Sequence, residues 1–206
     1  MYLKLFIGLF ILQFSLSVQA QSTPSSIELI NERRSLYAFR SGASLTTWAG
    51  LNIVGGSIGA LNSTGSTKAF WEMNVYWNIV NLGLGIPALL QARKQLRAKE
   101  SLSLKESLKA QRKYEQAYLF NTALDVSYIS SGLFLRLLSA RAPNLAQQEL
   151  ERGYGNSLIL QGSYLFIYDL ISLIAHQRNG KDLYNKISKV AVVPTGNGVG
   201  LYVSLN

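Results

Sequence analysis

The stretch Asn74-Val75-Tyr76-Trp77-Asn78-Ile79-Val80-Asn81-Leu82-Gly83-Leu84-Gly85 decides how this chain is read. Asn74, Asn78, Asn81 and Gly85 recur at steps of four, three and four, which puts them on one face of a helix, and every other position is apolar, aromatic or glycine. A helix in water carries a narrow apolar stripe on a broad polar surface. Here the pattern is inverted: a narrow polar stripe runs along an apolar cylinder, which predicts lipid outside and polar faces meeting inside.

Three further stretches repeat the inversion. Their stripes are Trp48, Asn52, Gly55, Gly59 and Asn62; Asn121, Asp125, Tyr128, Gly132 and Arg136; and Gln161, Leu165, Asp169, Ser172 and His176. Together they predict an all-α fold, a four-helix transmembrane bundle with spans near 42–62, 70–91, 117–140 and 156–177. Gly65, within Asn62-Ser63-Thr64-Gly65-Ser66-Thr67, predicts a tight turn between the first two spans, and Pro87 a kink or loosening near the end of the second.

Working outward, residues 1–20 read as a cleavable secretory signal: Lys4, an apolar run from Leu5 to Leu16, then Val18-Gln19-Ala20 before Gln21. Residues 21–41 read as a juxtamembrane amphipathic segment, 42–178 as the bundle, and 179–206 as a tail. In the tail, Ile187–Val193 and Val199–Leu205 are rich in β-formers around Pro194-Thr195-Gly196-Asn197-Gly198, which predicts a short β-hairpin. Between the second and third spans lies a long basic helical connection, with eight Lys/Arg from Arg93 to Lys113 against Glu100, Glu106 and Glu115. It reads either as a helix resting on a membrane surface or as a solvated extension of its neighbours.

Charged residues make up 15% of the 206-residue chain and the net charge is +9, with a mean hydropathy of +0.13. No groove-reading, zinc or aromatic RNA-binding signature accompanies the basic residues, so the expected partners are membrane lipid and a partner protein or second copy, with no nucleic acid. The absence of cysteine excludes disulfides, thiol catalysis and cysteine metal sites. Topology carries an internal conflict. A cleaved signal places fifteen Lys/Arg of the mature chain outside the cytoplasm and leaves Lys68, Arg141 and Arg152 inside, against the positive-inside rule. An exported inner-membrane bundle is the reading kept; a secreted helical oligomer with an apolar exterior is the alternative.

The candidate polar core is Asn52, Asn74, Asn78, Asn81, Asn121, Asp125, Asp169 and His176, with Gly55 and Gly59 as a small-residue packing step. Interhelical amide bonds are enough to explain the asparagines. Asp125 and Asp169 lie mid-span, where an isolated charge costs about 2.5–3.5 kcal/mol on the insertion scale. They read as carboxyls satisfied across the bundle, Asp125 near Asn78 or Tyr168, or alternatively as a proton or cation relay. His176 beside Arg178 reads as a cationic helix end and interface anchor. Catalytic, metal and cofactor assignments are all none: no nucleophile elbow, second histidine or ligand spacing is present, and Gly196–Gly200 reads as a turn.

The runs Trp48–Gly56 and Trp77–Gly85 resemble a family of small exported bacterial proteins known only as a domain of unknown function. The resemblance implies a four-helix membrane fold and carries no activity or site residue. The expected role is that of a non-enzymatic, structural or partner-binding membrane protein. A small proton- or cation-coupled transporter using Asp125 and Asp169 is the runner-up, and a lipid enzyme the third reading.

Overall fold

The computed structural model describes residues 27–98, 102–188, 190–195 and 198–203, with side chains as far as Asn185. The secretory signal expected at 1–20 lies outside the described residues. Four long helices make up the body: α1 (Ile27–Leu61), α2 (Gly65–Ala98), α3 (Leu104–Ser139) and α4 (Leu145–Ser188). Two six-residue strands follow, β1 (Val190–Thr195) and β2 (Gly198–Val203), paired antiparallel from Val190 opposite Val203 to Thr195 opposite Gly198.

The helices are longer than the expected spans. At 34–44 residues each runs roughly 50–65 Å at 1.5 Å per residue. From Ile27 onward the segment expected to be a separate juxtamembrane element is therefore the start of α1, and the fourth helix passes 178 and continues to Ser188. The basic connection is divided by a cap: Ser103 and Glu106 form a reciprocal capping box that starts α3. Such a box satisfies two of the otherwise unpaired N-terminal amides. Asn144 Oδ1 accepts from Gln147 N at 2.9 Å and opens α4 in the same way. α2 runs through Pro87 without interruption.

The α1–α2 turn is built on Gly65 at φ +57, where a Cβ would strike the Glu149 carboxylate. α1 packs on α2 and α3 on α4 as two antiparallel hairpins; α4 also packs on α2 and α1 and so forms the axis of the bundle. Close approach is set by glycines. A Cβ on Gly132 would lie 2.6 Å from Gly155 O, one on Gly155 would lie 2.6 Å from Gly132 O, and one on Gly153 would lie 2.4 Å from Ser66 O. Gly59 packs against the Trp71 ring as the small-residue step requires, but Gly55 faces open space. The second inward position is Gly56, against Val75 and Trp71 O. The helix face that meets α2 is rotated by one residue from the stripe drawn through Gly55.

Among the described residues, seventeen buried side chains are polar or charged and twelve are apolar or aromatic, while twenty-three large hydrophobics are exposed. Exposed leucines alone say little, because more than half of any soluble protein's surface is apolar. A core in which polar side chains outnumber apolar ones is the informative half. The exposed set forms a belt around the bundle, with Val54 and Ile58 on α1, Ile79, Val80 and Leu84 on α2, Phe120, Phe134 and Leu137 on α3, and Ile167 and Ile171 on α4. The charged residues of 28–40, 93–97, 105–113 and 178–182 gather at one end, since the α1 N-terminus, α2 C-terminus, α3 N-terminus and α4 C-terminus meet there. Among the described residues, one helix, over Leu145–Asn185, is long and apolar enough to cross a membrane by length and composition.

Candidate functional site

The inward stripes meet as two connected polar clusters. The first is centred on Gln161 of α4. Its Oε1 accepts from Trp48 Nε1 at 2.8 Å, and its Nε2 donates to Asn52 Oδ1 at 3.0 Å and to Asn74 Oδ1. One amide thus ties α4 to both helices of the first hairpin. The asparagines spend their remaining donors locally: Asn52 Nδ2 on Trp48 O, Asn74 Nδ2 on Phe70 O, Asn78 Nδ2 on Asn74 O, and Asn81 Nδ2 on Asn78 Oδ1. Trp48 lies flat on Tyr164, ring centroids 3.6 Å apart and planes 3° apart. The stack covers the amide cluster with aromatic surface and keeps its hydrogen bonds dry.

The second cluster is an acid pair. Asp125 of α3 and Asp169 of α4 are 2% and 3% exposed and lie against each other through their carboxyls, with Asn121 beside Asp169. Asp125 Oδ2 and Asp169 Oδ1 meet no donor among the described residues. Asp125 therefore finds Asp169, not Asn78 or Tyr168. The register that joins them follows from the glycine contacts, because a Cβ on Gly162 would lie 3.1 Å from Asp125 O.

From the pair a line of protic side chains leads toward the charged end. Tyr118, Tyr164 and Tyr168 lie near Asp169, and the Tyr118 and Tyr168 rings meet edge-on with centroids 6.4 Å apart. His176 comes next. It is fully buried, stacked on Tyr118 (5.3 Å) and Tyr114 (4.9 Å) and edge-on to Tyr37 (5.9 Å). Neither ring nitrogen has a hydrogen-bond partner among the described residues. His176 is thus a core aromatic and not the cationic helix end expected from its neighbour Arg178, because α4 continues twelve residues beyond it.

Of the expected polar core, Asn52, Asn74, Asn78, Asn81, Asp125, Asp169 and His176 are buried. Asn121 is exposed on α3, beside Asp169. Sequence reasoning missed Gln161 as the centre of the amide cluster, and missed Gln111, whose Nε2 donates to His176 O. Both carry the same signal as the asparagines, a lone amide on an inward face. Among the described residues, no group of three His, Cys, Asp or Glu comes together as metal ligands.

Residues 44–170 match the family of unknown function DUF6992. The chain belongs to that family. The matched span contains the Gln161 cluster and the acid pair and stops short of His176. DUF6992 membership therefore coincides with the part of the bundle in which the polar seams are built. No curated protein and no solved structure matches the chain.

Proposed function

We propose that this DUF6992 protein is a multi-pass, non-enzymatic membrane protein of a bacterial cell envelope. Its four helices cross the lipid, and its charged end and β-strands contact headgroups or a partner protein. The observation that carries the reading is the inverted distribution of side chains, polar inside and apolar outside. A hydropathy average is blind to this arrangement, because it counts the inward Asn74, Asn78 and Asn81 against the outward Ile79, Val80 and Leu84. α4 alone passes such an average, yet the exposed belt runs around all four helices. Helices with small-residue contacts and internal amide bonds are what lipid favours, since lipid gives apolar side chains no reason to turn inward. Alkaline carbonate extraction tests the reading: retention in the membrane fraction supports it, and release supports a secreted helical oligomer.

A second reading, a proton-coupled transporter, is favoured by one observation: the buried acid pair is followed by tyrosines and His176 leading to the charged end. Asp125→Asn leaves an amide donor for Asp169 and so is expected to keep the fold, within about 1 kcal/mol of the parent. Asp125→Leu strands a buried carboxyl without a polar partner and is expected to cost about 1–3 kcal/mol. In vesicles with an entrapped pH dye, a transporter loses at least tenfold of its proton flux in the folded Asp125→Asn variant. Equal dye response in parent, variant and empty vesicles assigns the pair to structure alone.

A further inference from the structure

At the charged end of the bundle a cleft of about 520 Å³ opens between the start of α1, the end of α2 and the start of α3. Its volume falls within the range of small-ligand sites. Asn31, Arg34 and Ser35 lie at its base, all buried, with Tyr114 beside them. Glu28, Glu32, Glu106, Lys109 and Lys113 stand exposed around it, and Leu96 and Leu102 supply apolar wall.

Arg34 is the unusual member. It is 4% exposed, and its contacts are both neutral: Nη1 donates to Asn31 Oδ1 at 2.7 Å and to Ser107 O at 3.2 Å. No carboxylate pairs with it among the described residues. Burial pulls its guanidinium below the ordinary arginine value, with a smaller opposing influence from Tyr114, yet arginine stays charged in proteins. A buried cation without a counter-ion is costly, and a bound anion relieves that cost. Arginine's planar fork matches phosphate oxygens.

The rim argues against a purely anionic ligand. Three glutamates balance Arg34, Lys109 and Lys113, so the lining is neutral overall. Glu106 is already occupied by the Ser103 cap, whereas Glu28 and Glu32, one helical turn apart on α1, remain for a cation. A cation at the base with carboxylates at the rim complements a ligand carrying an anion at one end and an amine at the other.

We infer that this cleft binds an amine-bearing phosphodiester, its phosphate on Arg34 and its ammonium on Glu28 and Glu32. This is the chemistry of a zwitterionic phospholipid headgroup and equally of a free glycerophosphoethanolamine. The lipid source rests on the membrane reading above, since the cleft lies where the apolar belt gives way to charge. The soluble source does not.

Purified full-length protein tests the site in two arms. Titration with glycerophosphoethanolamine, followed by calorimetry, works whether or not the protein resides in a membrane. Native mass spectrometry after exchange into mixed phosphatidylethanolamine and phosphatidylglycerol reports the lipid. Binding in the first arm alone assigns a soluble ligand, and preferential retention of phosphatidylethanolamine assigns the lipid. Arg34→Gln is expected to weaken binding at least tenfold. Should that variant fail to fold, the exposed double variant Glu28→Gln, Glu32→Gln decides: it is expected to lose the preference for the ethanolamine ligand and accept glycerophosphoglycerol as well. Equal affinity of the parent for both headgroups, or no binding of either, overturns the inference. So does binding that emerges only in Glu100→Gln, which would make Glu100 the counter-ion of Arg34.

Discussion

Replacing Gln161 with leucine is expected to destabilise the protein by about 2–5 kcal/mol, with loss of the α4 contact to the first hairpin before loss of helix content. Leucine fits the volume but leaves Trp48 Nε1, Asn52 Oδ1 and Asn74 Oδ1 without their partner. Each stranded buried group costs about 1–3 kcal/mol in protein interiors, and interhelical bonds in lipid contribute about 0.6 and at most about 2 kcal/mol. At the lipid values three losses at one residue sum to about 2–6 kcal/mol, which brackets the range given. Unfolding in graded denaturing detergent, read by Trp fluorescence, measures it. Because Trp48 is both a partner and a reporter, its emission should shift to the red in the folded variant. A midpoint equal to that of the parent would mean that the amide cluster does not hold the hairpins together.

The larger effect is expected at Gly153. A Cβ there would lie 2.4 Å from Ser66 O, 2.6 Å from Ala69 Cβ and 2.7 Å from Phe70 N, so backbone blocks it on the facing helix. Neither helix can relieve the overlap by rotating a side chain. Gly153→Leu should cost about 3 kcal/mol or more, at or beyond the upper end of ordinary overpacking, and should separate α4 from the start of α2. Gly83 is the internal control, with nothing within 4 Å of its added Cβ. Gly83→Leu should be neutral or slightly stabilising, since glycine inside a helix is disfavoured by about 1 kcal/mol relative to good helix formers. Yield of folded protein and thermal aggregation temperature separate the two variants. Similar behaviour of both would remove the glycine contacts as the source of the bundle's register.

The inverted stripes made the four helices and most of their inward faces legible, because a helix period of 3.6 residues is written into the spacing of Asn74, Asn78 and Asn81. Register between helices was not legible. Asp125 and Asp169 are 44 residues apart, and what brings them together is the close passage of α3 over α4 at Gly132, Gly155 and Gly162, residues that read as ordinary small positions until the facing backbone is known. His176 was misplaced for a related reason. Ending the helix near 177 made it a terminal residue, whereas Asn179 and Leu183, both buried, continue the inward face beyond it. Arg34 stood among charged neighbours and read as part of the polar face of a juxtamembrane amphipathic segment. Only the docking of α1 against α3, through Asn31 Nδ2 donating to Ser107 Oγ at 2.9 Å, places it inside.

The absence of native cysteine makes the central claim directly measurable. Single cysteines introduced at Val54, Ile79 and Phe134, and at Lys109 on the charged end, can each carry a spin label in membranes containing the protein. Collision rates are then compared for oxygen, which concentrates in lipid, and a water-soluble nickel chelate. The inverted bundle predicts labels at 54, 79 and 134 open to oxygen and closed to nickel, with the reverse at 109. Nickel access at all four positions would contradict it and place the apolar belt in water or against another copy of the chain.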